Sequence, residues 1–496
     1  MLEPLNRRTV PNAAQPTLRV LQFGGGVFLR GFVDWMIERM NRRLGFDAGI
    51  VVMRADSRPQ ADPLAKQDGL YHVLLHGVCE GRPEHSLERV DCLREVLDPR
   101  RDWVRFLELA EDPAMRWVVS NTTEAGIVLD PEDDAGAPSP RTFPARLAAW
   151  LHHRYRRFGG DPEQGVVVLP CELIDDNGAT LAACVAEHGR RAGFGAGFET
   201  WLRDAVVFCN TLVDRIVAGR PADPAPWWAA LGYRDELLVE GEAFHLWVIE
   251  GPPELAERFP AARAGLNVHV TDDVAPYRER KVRILNGLHS ATCPLALLEG
   301  VATVREAVLH PRLGAYMRRT AEQEIQPYVP LPAAEVAEFT AQVFERFANP
   351  AIEHRWSAIA LNAVAKWRTR VWPSWLDAWR DRGAVPRGLT LSLAALLAVY
   401  RWHPEAVRDA PERSARLAVH WPDPLRPTAQ GLAGLLADRR FWDEPLAAPP
   451  ALAEALCADL ERLATEGVAA VLDRWGAGLT PVTIRPDPFA AGSLAV

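Results

Sequence analysis

The sequence predicts an α/β N-terminal domain built on a doubly wound parallel sheet, followed by a mostly α-helical C-terminal domain. In the first half of the chain, short apolar runs alternate with helical patterns, which is typical of a parallel sheet covered on both faces. After about residue 276, strand-like runs nearly vanish and long amphipathic helical patterns, interrupted by prolines, replace them. We therefore predict two domains, residues 1–275 and residues 276–496.

The individual elements of the first domain follow from apolar patterning. The run LRVLQF at residues 18–23 is short and apolar, as expected of a buried parallel strand. A helix is predicted from Phe28 to Arg43, where apolar residues recur at helical spacing. Further strands are predicted at residues 49–54, 116–120 and 165–170.

Composition limits the class of protein. A chain of 496 residues is too long for one ordinary core, so two or three domains are expected. The net charge of −9 and the absence of long runs of like charge argue against nucleic-acid binding. The longest apolar runs are too short to span a bilayer, and the N-terminal residues lack the apolar core of a signal peptide, so no membrane partner and a cytoplasmic location are expected.

The cysteines favour free thiols and argue against a structural metal. Seven cysteines are scattered along the chain without a C-x-x-C pair, which indicates a reducing compartment. Structural zinc sites need thiolates or imidazoles at short spacing, and no such cluster is present. We predict that the protein holds no metal ion.

A glycine-rich turn follows the first predicted strand and precedes a helix. Gly24 and Gly26 would let the backbone approach a dinucleotide pyrophosphate beside the free N–H groups at the helix start, with Phe28 next to the turn. Leu29 replaces the third glycine of G-x-G-x-x-G, so an ordinary tight turn is an alternative. Asp56, after the second strand, could accept from a ribose hydroxyl and favours NAD, whereas Arg54 next to it could instead contact the 2′-phosphate of NADP.

The segment YRERKVRILNGLHS, residues 277–290, permits two dehydrogenase mechanisms. The spacing Y-x-x-x-K would make Tyr277 the proton donor, as in short-chain dehydrogenases. That family is about half this length and carries a different glycine motif, and Pro276 favours a position for Tyr277 ahead of the helix. The other interpretation uses Lys281, Asn286 and His289. On a regular α-helix these lie at about 0°, 140° and 80°, so all three could face one cleft near the predicted domain boundary.

These three residue types suit hydride-transfer chemistry. A lysine removed from water can gain and lose a proton near neutrality, so it can serve as the acid and base. An asparagine amide can donate a hydrogen bond to a developing alkoxide, and a histidine can orient a substrate hydroxyl or carbonyl. The alternative is a structural helix with a buried asparagine and histidine.

Several longer stretches resemble the mannitol dehydrogenase family, and the resemblance extends over nearly the whole chain in the same order. The family consists of long-chain, metal-independent polyol dehydrogenases that use NAD(P). The resemblance implies a Rossmann-type N-terminal domain and a helical C-terminal domain, with Lys281 as the catalytic lysine and Asn286 and His289 as its partners. The matching stretches are FGGGVFLRGFVDW (residues 23–35), SNTTEAGI (120–127), LVDRIV (212–217), DDVAPYRERKVRILNGLHSA (272–291) and RFANP (346–350).

One position departs from the family pattern. Mannitol-oxidising members supply a further asparagine within a C-D-N segment, where this chain has Cys171, Glu172 and a leucine. Asn177, a few residues later, is a possible substitute, and its role is open. Thr123 and Glu124, after another predicted strand, plausibly border the nicotinamide site.

Within the family, the stretches DGLYHVLLHG (residues 68–77) and CELIDDNG (171–178) are most similar to members that interconvert D-tagaturonate and D-altronate. Such a hexuronate carries a carboxylate, so a cation is expected in the site. Lys366 and Arg370 share one helix face, and Arg283 is a further candidate. Fructuronate reduction and mannitol oxidation are the alternative activities. A non-catalytic dinucleotide-binding scaffold is the alternative of another class. The oligomeric state is not predicted.

Overall fold

The computed structural model describes residues 2–55, 62–79, 82–123, 125–351 and 353–476. Two compact units divide the chain, one formed by residues 1–76 and 84–274 and the other by residues 275–476 with the short segment 77–83. The strands are β1 (Leu18–Phe23), β2 (Gly49–Met53), β3 (Tyr71–Cys79), β4 (Arg82–Val90), β5 (Leu93–Leu97), β6 (Trp117–Ser120), β7 (Val167–Pro170), β8 (Val207–Phe208), β9 (Thr211–Asp214), β10 (Val217–Gly219), β11 (Val239–Glu242), β12 (Leu246–Glu250) and β13 (Val268–Thr271).

The helices of the first unit connect these strands. They are α1 (Val27–Leu29), α2 (Trp35–Leu44), α3 (Pro63–Lys66), α4 (Trp103–Leu109), α5 (Phe143–Arg157), α6 (Asn177–Arg191), α7 (Ala196–Ala205), α8 (Ala225–Leu231) and α9 (Leu255–Arg258). A π-helical segment, Arg30–Asp34, joins α1 to α2, so helical backbone runs without a break from residue 27 to residue 44. The predicted helix and all four predicted strands are confirmed; the first strand has the predicted ends, and the other ends differ by at most two residues.

A six-stranded parallel sheet forms the centre of the first unit. Its order is β5-β2-β1-β6-β7-β8, with parallel pairing throughout. Alternate residues of one strand enter different cores: Val20 packs with Phe32 and Ile50 in one cluster, whereas Leu21 packs with Val51 and others in a second. Two apolar cores on opposite faces are what a doubly wound sheet requires, and they explain why its strands read as continuous apolar runs.

Two smaller sheets complete the first unit. One has the order β10-β11-β3-β4 and the other β13-β12-β9. The pairings β10/β11 and β12/β9 are antiparallel, whereas β11/β3 and β12/β13 are parallel.

The second unit is helical. Its helices are α10 (Ala275–Lys281), α11 (Gly287–Glu299), α12 (Val304–Leu309), α13 (Pro311–Thr320), α14 (Ala333–Phe347), α15 (Trp356–Ile359), α16 (Ala363–Arg370), α17 (Trp372–Arg382), α18 (Arg387–Trp402), α19 (Pro411–His420), α20 (Ala429–Leu436), α21 (Arg439–Trp442) and α22 (Pro450–Gly476). Two π-helical segments, Val282–Asn286 and Ala321–Ile325, lie among them. The prediction of an α/β domain followed by a mostly helical domain is confirmed.

Helix α18 is the core element of this unit. Its residues 388–400 are buried on all sides, and it packs against α11 and α22. An apolar helix without a polar face belongs in a protein interior of this kind. Among the described residues, no helix combines the length and the apolar character that crossing a bilayer would require.

Candidate functional site

The glycine turn lies at the carboxyl end of β1 and is held from two sides. Gly24 has φ +100°, and a Cβ there would lie 2.9 Å from the backbone oxygen of Asn121, so a larger residue is excluded by both strain and space. The buried Gln22 side chain donates to the Gly24 carbonyl at 3.1 Å. These contacts fix the path of the backbone where it leaves the sheet.

Gly26 is different, because the space in front of it is open. Its φ of −69° is available to any residue, and a Cβ would meet no atom within 4 Å. Gly26 immediately precedes the helical run, whose first N–H groups form an anion-binding end. Phe28, half-buried, stacks on Phe32 with ring centroids 5.0 Å apart and anchors this first turn.

The sheet order places this turn where nucleotides bind in such folds. Strand order reverses between β1 and β6, and ligands of open α/β sheets bind at the carboxyl ends of strands at this switch point. The order β5-β2-β1-β6-β7-β8 is that of a dinucleotide-binding domain. Open space at Gly26, a rigid turn at Gly24 and a helix start together fit a pyrophosphate group.

A buried glutamate organises the neighbouring strand end, a role that no pattern in the sequence indicates. Glu172, 2% exposed, accepts hydrogen bonds from the Ser120 hydroxyl at 2.9 Å and from the Thr122 backbone and hydroxyl at 2.9 and 3.0 Å. Burial raises the pKa of this carboxyl, although the hydrogen bonds oppose the rise. The Asn121 side chain donates to the Cys171 carbonyl at 2.7 Å, so residues 120–122 are tied to the end of β7.

Of the other three predicted cofactor-binding residues, one lies in the described part of the chain. Thr123 follows this tied segment and has φ +132°, a conformation that side-chain-bearing residues rarely adopt. Backbone strain of this kind is concentrated at functional sites. Asp56 and Glu124 lie outside the described residues.

Asn177 is engaged within the first unit. It is 1% exposed, and its amide nitrogen donates to the carbonyls of Pro170, Glu172 and Thr211 at 3.1–3.2 Å. Its oxygen accepts from the Thr211 and Gly178 backbone N–H groups at 2.8 and 2.9 Å. This geometry favours a structural role for Asn177, fixing the start of α6, over contact with substrate.

The lysine segment begins earlier than predicted. Helix α10 starts at Ala275, so the prediction that Tyr277 precedes the helix is wrong. Pro276 occupies the first turn, where backbone N–H groups have no intrahelical acceptor and a proline is tolerated. Tyr277 and Lys281 therefore lie on one continuous helix.

A π-helical segment, Val282–Asn286, separates Lys281 from His289. The angles predicted for a regular α-helix do not apply across it, because the wider turn rotates every following residue relative to Lys281. Such segments are common at functional sites. Lys281 and Asn286 are half-buried, whereas His289 is only 7% exposed.

His289 lies in an aromatic pocket with one polar atom unused. Its ring centroid is 4.4 Å from that of Phe347, which belongs to the stretch RFANP, and 4.8 Å from that of His354. Burial, followed by the charges of His354, Arg346 and other nearby cations, holds the pKa of His289 well below its ordinary value, so the ring is neutral near pH 7. Its Nε2 atom has no hydrogen-bond partner among the residues that the structure describes.

Two of the three predicted cations lie close enough to His289 to act on its charge. Arg370 and Lys366 both act electrostatically on His289, and the Arg370 carbonyl oxygen would lie 3.2 Å from a Cβ placed on Gly287. Lys366 donates to the Ile359 carbonyl at 3.0 Å, and burial lowers its pKa. Burial likewise lowers the pKa of Arg370, whose half-buried guanidinium has no ion pair within the described ranges.

Arg283, the third predicted cation, already forms ion pairs with two carboxylates. Its guanidinium contacts the Asp377 carboxylate at 2.7 Å and the Glu279 carboxylate at 2.6 Å, and its side chain is 11% exposed. With both partners in place, Arg283 has little remaining capacity for a substrate carboxylate, and its geometry favours joining α17 to the lysine segment. No group of three or more histidine, cysteine or acidic side chains able to hold a metal ion was found in the described part of the chain.

A switch-point glycine turn on a parallel sheet, followed in the chain by a helical unit with a lysine segment, fits a nucleotide-dependent oxidoreductase. The chain belongs to the mannitol dehydrogenase family. Residues 18–262 match the model of the mannitol dehydrogenase Rossmann domain, and residues 273–464 match that of the mannitol dehydrogenase C-terminal domain.

Two relatives that match along nearly their whole length carry the same name, altronate oxidoreductase. An altronate oxidoreductase of Bacteroides thetaiotaomicron is 40% identical over 477 residues, covering 94% of this chain and 98% of the relative. The altronate oxidoreductase of Bacillus subtilis is 36% identical over 475 residues, with 96% and 98% covered.

Solved structures support the fold. A D-sorbitol dehydrogenase in substrate-free form aligns with a TM-score of 0.78 at 20% identity, covering 94% of this chain and 100% of the other. The mannitol 2-dehydrogenase of Pseudomonas fluorescens, in ternary complex with NAD and D-mannitol, aligns with a TM-score of 0.63 at 23% identity, covering 95% and 99%.

Proposed function

We propose that the chain interconverts D-tagaturonate and D-altronate with NAD(H), using Lys281 as acid and base and no metal ion. The observation that carries this proposal is the similarity to altronate oxidoreductases along nearly the whole chain. The uncompensated, half-buried Arg370 supports it, because a hexuronate brings a carboxylate and a polyol does not.

In the proposed division of labour, residues 1–275 hold the cofactor and residues 276–496 bind the sugar acid. Gly24, Gly26, Phe28 and Thr123, with Asp56 and Glu124 as predicted further contacts, would hold the dinucleotide. Bound NAD(H) would supply or accept the hydride. NAD rather than NADP remains our prediction from Asp56.

Two side chains would act on the reacting oxygen, and a third would orient the substrate. The Lys281 ammonium group donates a proton to the alkoxide that forms at the former keto carbon, and in the oxidation direction neutral Lys281 removes the hydroxyl proton. The Asn286 amide N–H donates a hydrogen bond to the same oxygen as its charge grows. The neutral His289 ring offers its unused Nε2 to a substrate hydroxyl, which would satisfy a buried polar atom and orient the sugar.

A substrate comparison tests the proposed function. With NADH as reductant, we expect D-tagaturonate to give the highest kcat/KM, because the relatives with high identity are altronate oxidoreductases. D-fructuronate should give a lower value and D-fructose the lowest, because fructose lacks the carboxylate. A preference for D-fructose would overturn the assignment of a hexuronate. Tight NADH binding without turnover on any of the three would favour the non-catalytic scaffold.

The glycine turn offers a separate test of cofactor binding. Gly26→Ala should fold normally, because its φ is ordinary and its Cβ would point into open space, with a loss of at most about 1 kcal/mol from a poorer helix cap. We expect the Kd of NADH to rise at least about tenfold, equivalent to 1.4 kcal/mol, since the added methyl group occupies the space proposed for the pyrophosphate.

Gly24→Ala is the matched contrast for this variant. It should lose both cofactor binding and thermal stability, because its Cβ would collide with the Asn121 carbonyl oxygen. Isothermal titration with NADH and a thermal melt separate the two effects. Unchanged NADH affinity in Gly26→Ala would place the cofactor elsewhere.

A further inference from the structure

A second polar cavity lies in the helical unit, lined by residues of α13, α18 and α22. Its volume is about 150 Å³, and its wall contains four arginines, Arg319, Arg387, Arg462 and Arg474, with one carboxylate, Asp459. None of these residues belongs to the proposed reaction site. Trp475 closes one side by packing on α18, where a Cβ on Gly388 would lie 2.9 Å from the indole ring.

Charge is incompletely balanced in this cavity. Arg462 pairs with Asp459 at 3.2 Å, and Arg474 pairs with Glu466. Arg319 stacks over the Trp475 ring at 4.7 Å and donates to neutral acceptors only, so its charge is not neutralised. The exposed Arg387 guanidinium makes no ion pair or hydrogen bond with any other described residue. Among the lining residues and their ion-pair partners, two positive charges therefore remain.

Asp459 lies at the sheltered side of the cavity, with its side chain 16% exposed. Burial raises the pKa of Asp459 even though Arg462 and Arg387 act to lower it. Beside Asp459, charges are screened less than on an open surface, whereas Arg387 lies at the exposed side of the cavity. The start of α18 contributes nothing further, because the N–H groups of Gly388 and Leu389 already donate to Glu324 at 2.9 and 2.8 Å.

We propose that this cavity, the arginine pocket of α13, α18 and α22, is a binding site for a phosphate group, carried by free phosphate or by a phosphate monoester. Two uncompensated guanidinium groups match the charge of a dianion. Planar guanidinium forks bind phosphate oxygens through paired hydrogen bonds, which a single lysine ammonium cannot do. None of its lining residues belongs to the proposed reaction site, so a ligand there would not be the substrate of the reaction.

Two variants with opposite expected effects on phosphate affinity test the pocket. Arg387→Ala should weaken the binding of inorganic phosphate about fivefold, because it removes one of the two unbalanced charges. Asp459→Asn should tighten it about threefold, because it removes the opposing carboxylate. Isothermal titration of the full chain at fixed ionic strength gives both values, with saturating NADH present to keep phosphate from the glycine turn.

Arg440→Ala is the control, since Arg440 is exposed, belongs to the same unit and lies outside the pocket lining. It changes the net charge as Arg387→Ala does and should leave phosphate affinity unchanged. Parallel titrations with inorganic phosphate and a hexose monophosphate identify the source of the ligand. Equal affinities in Arg387→Ala and Arg440→Ala, or no binding of either ligand to the wild type, would overturn the proposal.

Discussion

Replacing Lys281 by alanine is expected to remove nearly all turnover while leaving the protein folded and able to bind NADH. Loss of a positioned general acid typically costs about 10²–10⁴-fold in kcat, and here the same group would serve both directions of the reaction. Lys281 is half-buried at the last residue of α10, so truncating it opens no large cavity in the core. Steady-state kinetics with D-tagaturonate and an NADH titration measure the two quantities separately.

Tyr277→Phe is the matched control, because Tyr277 lies on the same helix and is the proton donor in the competing interpretation. We expect its kcat to stay within about twofold of the wild type. A chelator should also leave the wild-type rate unchanged. If Tyr277→Phe lost activity and Lys281→Ala kept it, the tyrosine mechanism would be correct.

The sheet could be predicted because its signals are local and strong. Residues 18–23 and their partner strands are apolar on both faces, and this pattern occurs where helices cover a parallel sheet from both sides. The glycine turn was also readable, since a positive φ and a backbone approach of 2.9 Å at Gly24 leave few residue choices. The open space at Gly26, in contrast, depends on the three-dimensional structure and cannot be predicted from a sequence motif.

The lysine segment was predictable in its residues but not in its geometry. Proline is compatible with both a helix start and a residue before a helix, so Pro276 could not place the first turn of α10. No residue type specifies a π-helical turn, and therefore the rotation between Lys281 and His289 was missed. That rotation decides which side chains share a pocket.

Most features of the candidate site that were not predicted depend on contacts between residues distant in sequence. Glu172 reaches Ser120 and Thr122 across some fifty residues, and His289 meets Phe347 and His354 across about sixty. Single-sequence patterns carry no information on such pairs. Arg283 differs in part: Glu279, four residues earlier, is a partner that helical spacing indicates, whereas Asp377 is distant in sequence and only the structure shows it.

Because Arg283 is neutralised and Arg370 is not, replacing Arg370 is the second change for which we expect a large loss of activity. Arg370→Met should lower kcat/KM for D-tagaturonate by about 30- to 100-fold, the cost of leaving a buried carboxylate without its charged partner. Most of the change should appear in KM, because the carboxylate is present in both ground state and transition state and is remote from the reacting carbon. The slow reaction with D-fructose should be nearly unaffected, since fructose has no group for Arg370 to hold.

Arg368→Met provides the control on the same helix. Arg368 lies two residues before Arg370 and pairs with Glu444 at 2.9 Å. Replacing Arg368 removes the same charge from α16 as replacing Arg370. If both variants lowered tagaturonate turnover equally, the general positive potential of the helix would be responsible and not a specific contact. If Arg370→Met impaired D-fructose as strongly as D-tagaturonate, Arg370 would support the fold around His289, and Lys366 would become the candidate for the carboxylate.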